Sequence, residues 1–155
     1  MSFEIRRVIT GHDEKGKARV IIDEISDNVI SRRAGQESTV IWATDQMPAN
    51  LSEFNDLSAE VVETTIPNGS VFRVSRFEPG VAPRNHRTAS LDYAVVISGA
   101  IDMELDDGEV VNLKAGDVLV QRGTVHNWTN PGTEPCIVAF ILMSAPLPQN
   151  LAAEG

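Results

Sequence analysis

A single cysteine, Cys136, among 155 residues leaves no partner for an intrachain disulfide and no thiolate metal cluster. It stands in Pro135-Cys136-Ile137-Val138-Ala139-Phe140, which reads as a buried strand, so a small core residue is expected there rather than a nucleophile. No apolar run approaches the roughly 20 residues that cross a bilayer. Residues 1–7 carry no apolar stretch of the secretory kind, and a cytoplasmic location is the expectation. Positive charge is scarce. Thirteen Lys and Arg against 22 Asp and Glu give a formal net charge of -9, which argues against nucleic acid and anionic membrane as partners, since both need a positive surface. A local cluster such as Arg84 with Arg87 is still able to meet an anion. Also missing are internal repeats, low-complexity tracts, linkers, helix–strand alternation and anything resembling a helix-turn-helix.

What is present is a series of short runs rich in Val, Ile and Phe between turn signals, too short and too β-branched for ordinary helices. Strands are expected at 5–10, 18–22, 39–44, 70–77, 92–97, 100–105, 110–113, 118–121, 125–130 and 136–144. The first two read as a hairpin, 23–37 as an irregular loop, and 45–68 as a long connection with room for one helical turn. Asp106-Asp107-Gly108-Glu109 reads as a hairpin turn, because Asp-Gly supplies the positive φ that tight turns require. The pattern predicts one all-β domain over 1–155, a single antiparallel barrel. Residues 1–68 add strands and a connection that pack on the barrel or pair with a second subunit, 69–144 form its core, and 145–155 a frayed tail. A homodimer is the expected assembly.

Only three histidines exist. His12 sits in a charged hairpin turn and is expected to be solvated. His86 follows the Pro79-Gly80 turn and His126 the Arg122-Gly123 turn, each at the start of a strand on a separate hairpin, where two imidazoles can converge inside a barrel. Imidazole is the commonest protein metal ligand and the natural acid–base group near neutral pH. Alternation puts Asp92, Ala94 and Val96 on the inner face and Tyr93, Val95 and Ile97 on the outer. It places Trp128 on the face of His126, as an aromatic wall or as core. Arg73 and Arg76 fall on opposite faces of one strand. One of them is able to meet a substrate carboxylate, with a surface or dimer salt bridge as the alternative. Asp45 and Asp56 on the long connection are read as solvated.

Gly80, five residues, His86-Arg87-Thr88, three residues, Asp92, six residues and Gly99 make a first frame. Gln121-Arg122-Gly123, two residues, His126, three residues and Asn130 make a second. Together they resemble the two motifs of the cupin superfamily over roughly residues 69–144. Thr88 stands where that family has a second histidine, Asp92 where it has glutamate, and Gln121 where it has proline. The interval from Gly116 to the second motif is one residue short. Residues 86–93 with 121–123 also look like a subgroup of small bacterial and fungal cupins, some from biosynthetic clusters for polyketide or aromatic compounds. The resemblance implies a jelly-roll barrel. By position it makes His86, Asp92 and His126 a facial ligand set for Fe(II), Mn(II), Ni(II) or Zn(II), with open positions for substrate or water. Thr88 would bond a metal-bound water, and Gln121 would donate into the cavity.

Three functions stay open on this reading. One is a metal-dependent oxygenase, isomerase, decarboxylase or dehydratase acting on a small organic or aromatic molecule. A second is a metal-free enzyme with His126 or His86 as base and Asp92 fixing its tautomer. The third is a small-molecule binding or sensor module.

Overall fold

The computed structural model describes residues 3–151 and is built almost wholly of antiparallel strands. β1 (Arg6–His12) and β2 (Ala18–Ile25) form a separate hairpin. β3 (Val29–Arg33), β4 (Gln36–Thr44), β5 (Ser70–Phe77), β6 (Ser90–Ser98), β9 (Val118–Arg122) and β11 (Cys136–Ser144) make a six-stranded sheet in the order β3-β4-β5-β11-β6-β9. β7 (Ala100–Glu104), β8 (Val110–Lys114) and β10 (Asn127–Thr129) make a three-stranded sheet in the order β10-β7-β8. The inner residues of both sheets meet in one apolar cluster. Phe77, Ala94, Val96, Cys136 and Val138 come from the larger sheet and Ile101, Met103, Leu113 and Trp128 from the smaller. A second cluster, Val40, Ala43, Val71 and Leu142, packs against Leu57, Val61 and Ile66 of the long connection, and Phe140 touches both.

Strict alternation of β6 follows from its sequence: Ser90, Asp92, Ala94 and Val96 are buried, while Tyr93, Val95 and Ile97 are exposed. The period of two puts successive side chains on opposite faces, so a buried Asp92 is the consequence of its phase with Ala94 and Val96. The turn between β7 and β8 takes the expected form, with Asp107 at φ 55° and Gly108 at φ 75°. Gly99, between β6 and β7, has φ 76°, and a Cβ there would lie 2.4 Å from the carbonyl oxygen of Pro135, so only glycine fits. Cys136 is fully buried and desolvation pushes its thiol up to about 11, in keeping with a core role.

Two expectations need correction. Residues 23–37 are mostly strand rather than irregular loop: β2 extends to Ile25, β3 spans Val29–Arg33 and β4 starts at Gln36. β3 and β4 add to the sheet as the N-terminal strands expected on the barrel, which reaches back to Val29. The strand was hidden because β3 is a short edge strand whose register with β4 slips between Ile30 and Arg33, which breaks the alternation that marks a strand. Residues 45–68 form the expected long connection, with a hydrogen-bonded turn from Leu57 O to Glu60 N and a second from Ile66 O to Gly69 N that leads into β5. The final residues 152–155 of the expected tail lie outside the described part. Among the described residues no helix is long and apolar enough to cross a membrane.

Asp56 is the second correction, because it is not simply solvated. Arg7, only 7% exposed, donates to Asp56 at 2.7 Å, to Glu24 at 2.7 and 2.9 Å, to Ser58 Oγ at 3.0 Å and to the carbonyl of Ile41 at 3.1 Å. One guanidinium thus ties the β1–β2 hairpin to β4 and to the long connection. These bonds, with those from Ser58, hold the Asp56 carboxyl down at about 2.

Candidate functional site

His86 and His126 are brought together by the backbone. The N–H of each donates to the carbonyl of the other, at 3.0 and 2.9 Å, as an isolated antiparallel bridge. Residues directly opposite across such a bridge point their side chains to the same face. The two imidazoles accordingly lie with ring centroids 4.4 Å apart and planes at 53°. The segment carrying His86 is held beside β10 by Gly80 N to Asn130 O at 3.0 Å and by Arg84 N to Asn127 Oδ1 at 2.8 Å. Asn130, the last position of the second frame, is a structural residue: its amide donates to the carbonyls of Phe77 and Glu134 at 3.0 and 2.8 Å.

The tautomers follow from what the rings touch. Nδ1 of His86 lies 3.0 Å from the carbonyl of Arg84, and Nδ1 of His126 lies 2.8 Å from that of Thr124. A carbonyl only accepts, so each Nδ1 carries the proton and each neutral ring keeps its lone pair on Nε2. Both rings are nearly buried, at 6% and 4% exposure. Desolvation, then repulsion from His126 and from Arg84 and Arg33, lowers His86 to about 4; desolvation likewise lowers His126. Both imidazoles are neutral at pH 7.

They line a half-open cavity of about 70 Å³ whose wall draws on both apolar clusters, through Phe77 and Trp128 of the first and Leu142 of the second. Its wall is aromatic on one side. Trp128 meets His126 edge-on at 6.1 Å and packs on Phe140 and Phe77 at 5.4 and 6.2 Å, so it is both wall and core. Asp92 faces the same cavity at 6% exposure. It accepts a 2.5 Å bond from Ser90, whose hydroxyl also bonds Thr88 at 2.8 Å. Desolvation, opposed by that bond and by Arg73, raises Asp92 to about 6.

Arg73 points inward as well, whereas Arg76, on the other face of β5, makes a 2.7 Å salt bridge with Glu78. Thr88 and Gln121 are not among the residues that line the cavity. Thr88 reaches Asp92 through Ser90, and Gln121 sits opposite Asp92 across the β6–β9 ladder, buried, accepting from Thr124 and with its Nε2 unpartnered. The cavity also holds residues that sequence reasoning passed over: Arg32, Arg33, Gln36, Ser38 and Ser75. The adjacent Arg32 and Arg33 both reach it because of the register slip in β3. The only signal was the Arg-Arg pair itself, in a stretch that reads as loop.

His86 and Asp92 titrate with opposite effects on stability. A histidine held at about 4 binds fewer protons in the folded than the unfolded state between pH 4 and 6.5, so stability rises with pH across that window. An aspartate held at about 6 binds more protons when folded, so stability falls between pH 3.8 and 6. The two oppose each other where they overlap. An Asp92→Asn variant is expected to show a steeper rise of urea midpoint from pH 4 to 6 than the parent chain. An unchanged slope would remove the buried-carboxyl assignment.

Nδ1–H bonds to backbone carbonyls that orient a free Nε2 are the usual support of metal-bound histidine, so His86 and His126 suit a two-nitrogen donor pair. Among the described residues, however, no three His, Cys, Asp or Glu side chains group closely enough to hold an ion together. The closed set of His86, Asp92 and His126 is therefore not assembled in this arrangement.

Facing antiparallel sheets around a cavity lined by histidine and arginine define a small β-barrel with a polar interior site. The model of the cupin domain family matches residues 73–142. The chain is 39% identical over 148 residues to the cupin-domain-containing oxidoreductase fogC of Aspergillus ruber, covering 88% of this chain and 71% of that protein. It is 37% identical over 146 residues to the cupin-domain-containing oxidoreductase virC of Hypocrea virens, covering 88% and 74%. It is 39% identical over 133 residues to phomopsin biosynthesis cluster protein C' of Diaporthe leptostromiformis, covering 80% and 69%. This chain belongs to the cupin family. Its jelly-roll fold is shared with a double-stranded β-helix protein of Klebsiella pneumoniae at TM-score 0.53 and 23% identity, covering 83% of this chain and 92% of that one. An RmlC-like cupin of Shewanella frigidimarina follows at TM-score 0.50 and 15% identity, covering 76% and 83%.

Proposed function

We propose that this protein is an enzyme for a small organic molecule, with His126 and His86 handling the reacting proton inside the barrel. The observation that carries this reading is the pair of neutral imidazoles, each with Nδ1 pinned to a carbonyl and Nε2 free, lining one cavity. Relatives named as cupin-domain-containing oxidoreductases and as a biosynthesis cluster protein support small-molecule chemistry as the general role. The aromatic wall of Trp128, Phe77 and Phe140 suits an unsaturated or aromatic substrate.

In such a site Nε2 takes a proton from a carbon or hydroxyl next to a substrate carbonyl, and the same nitrogen returns it to another atom of the substrate. The step is an isomerisation that consumes no further reactant, and its enolate-like intermediate is stabilised by the fixed positive charge of the arginines that line the cavity. Asp92, which lines the same cavity and accepts a hydrogen bond from Ser90, would exchange a proton with a substrate oxygen. The test is incubation in D₂O with a panel of small enolisable ketones, keto acids and hydroxyaromatics, read by mass spectrometry. Deuterium incorporation that survives chelator is expected. No exchange and no turnover, with or without added metal, would remove the enzyme reading.

The free Nε2 atoms favour one further reading, in which His86 and His126 hold a divalent Fe, Mn, Ni or Zn ion. When bound, such an ion would polarise a substrate oxygen. Elemental analysis and Tm with each metal chloride test it, and loss of exchange on chelation would favour it over the metal-free form.

A further inference from the structure

The cavity gathers positive charge that the remainder of the chain lacks. In a protein of net charge -9, Arg32, Arg33, Arg73 and Arg84 line one small space, with Asp92 as its lone acid. Among the described residues none of the four makes a salt bridge. Their side-chain hydrogen bonds go to neutral groups of residues 62–64. Arg73 donates to the carbonyls of Glu63 and Thr64 at 2.9 and 3.3 Å; Arg32 donates to Thr64 Oγ1 at 2.9 Å and to the carbonyl of Val62, and Arg84 to Thr64 Oγ1 at 3.5 Å. The Nε of Arg33 and of Arg73 is buried without any partner, although Arg73 is only 6% exposed. Arg33 has in partial return the face of Phe77, 5.8 Å from its guanidinium carbon.

Such an arrangement is unfavourable by itself. Burial penalises each guanidinium, and the cations repel: Arg32 and Arg84 act on Arg73, Arg84 on Arg33, and Arg32 on Arg84, while Glu63 attracts Arg32 and Asp92 attracts Arg73. Desolvated cations with unused donors are retained where a ligand supplies the missing negative charge. A guanidinium matches a carboxylate or a phosphate in plane and in donor spacing, and a cavity of about 70 Å³ favours the smaller, planar carboxylate. One carboxylate would leave this cavity still positive, because Asp92 offsets a single cation.

We infer that the cavity receives a small organic dianion, a dicarboxylate or a keto acid reacting as its enolate, held by Arg33, Arg73 and Arg84 beside the two imidazoles. This names the substrate class of the site proposed above and rests on that site being the ligand site. A carbon acid bound through its carboxylate would present its acidic proton within the histidine-lined space, and the charge developing on its oxygen would meet a second guanidinium.

The experiment is calorimetric titration of the whole chain with malonate and succinate, beside acetate, inorganic phosphate and uncharged malonamide, at constant ionic strength set with sodium chloride. Saturable binding of a dicarboxylate is expected, tighter than acetate or phosphate, with malonamide silent. Arg33→Met and Arg84→Gln should each weaken it by about 30-fold, with folding checked by near-ultraviolet circular dichroism. Arg6→Met, at the surface, should leave it unchanged. Absence of dicarboxylate binding, binding that survives in Arg33→Met and Arg84→Gln, or equal binding of malonamide would overturn the inference. Preferential phosphate binding would overturn it in favour of a phosphorylated ligand. The two readings fail separately. Binding retained in a His126→Ala chain without any deuterium exchange in the parent would sink the enzyme, not the anion site. Exchange confined to neutral substrates would do the reverse.

Discussion

Truncating His126 to alanine is expected to cut deuterium exchange and turnover by about 10²–10⁴-fold, the usual contribution of a positioned acid–base group, while the chain still folds. The second half of that expectation comes from the geometry. The bridge between residues 86 and 126 is made by main-chain N–H and C=O groups, at 3.0 and 2.9 Å, so removing the ring leaves the backbone pairing intact. Histidine 86 should behave similarly, and the double variant should be little worse than either single one, because two groups acting as a unit are not additive. A His126→Ala chain that keeps full exchange, with unchanged circular dichroism, would refute the role given to the pair.

Arg7→Met is expected to have the largest effect on stability. Two carboxylates, a hydroxyl and a main-chain carbonyl converge on this one buried guanidinium, and the substitution unties the N-terminal hairpin from β4 and from the long connection. Breaking a fully buried pair costs about 3–5 kcal/mol. Glu24 and Asp56 retain 46% and 26% exposure, so the carboxylates left behind reach water and the cost should be nearer 2–3 kcal/mol. For a chain of this size that is a fall in Tm of roughly 4–12 °C. The neighbouring Arg6–Asp23 pair has the same 2.7 Å separation but side-chain exposures of 67% and 46%. Arg6→Met should leave Tm in place. The contrast separates burial from geometry, and equal effects of the two substitutions would show that the anchoring argument is wrong. Acid should act on Arg7 through Asp56: held at about 2 against 3.8 unfolded, it lends stability above about pH 4 that is lost as pH falls towards 2.

Much of this architecture is legible without coordinates because strand signals are local. The strands expected at 70–77 and 136–144 coincide with β5 and β11, and the inward phase of Asp92 is that of Ala94 and Val96. The Asp-Gly turn and the positive φ of Gly80, Gly99 and Gly123 are properties of single residues and their neighbours. Where local signal failed, the cause was local too: β3 is short, at a sheet edge and out of register, so its alternation is broken.

The sequence by itself determined the all-β class, the two glycine-and-histidine frames, and which residues of β6 turn inward. Period-two alternation says which face a side chain takes, but not what stands across from it. Only tertiary pairing decided that residues 86 and 126 lie opposite one another, that Asp92 turns to Ser90, and that Arg32, Arg33, Arg73 and Arg84 share one cavity. Register between strands tens of residues apart is set by how the whole core packs, and no short window of sequence contains it.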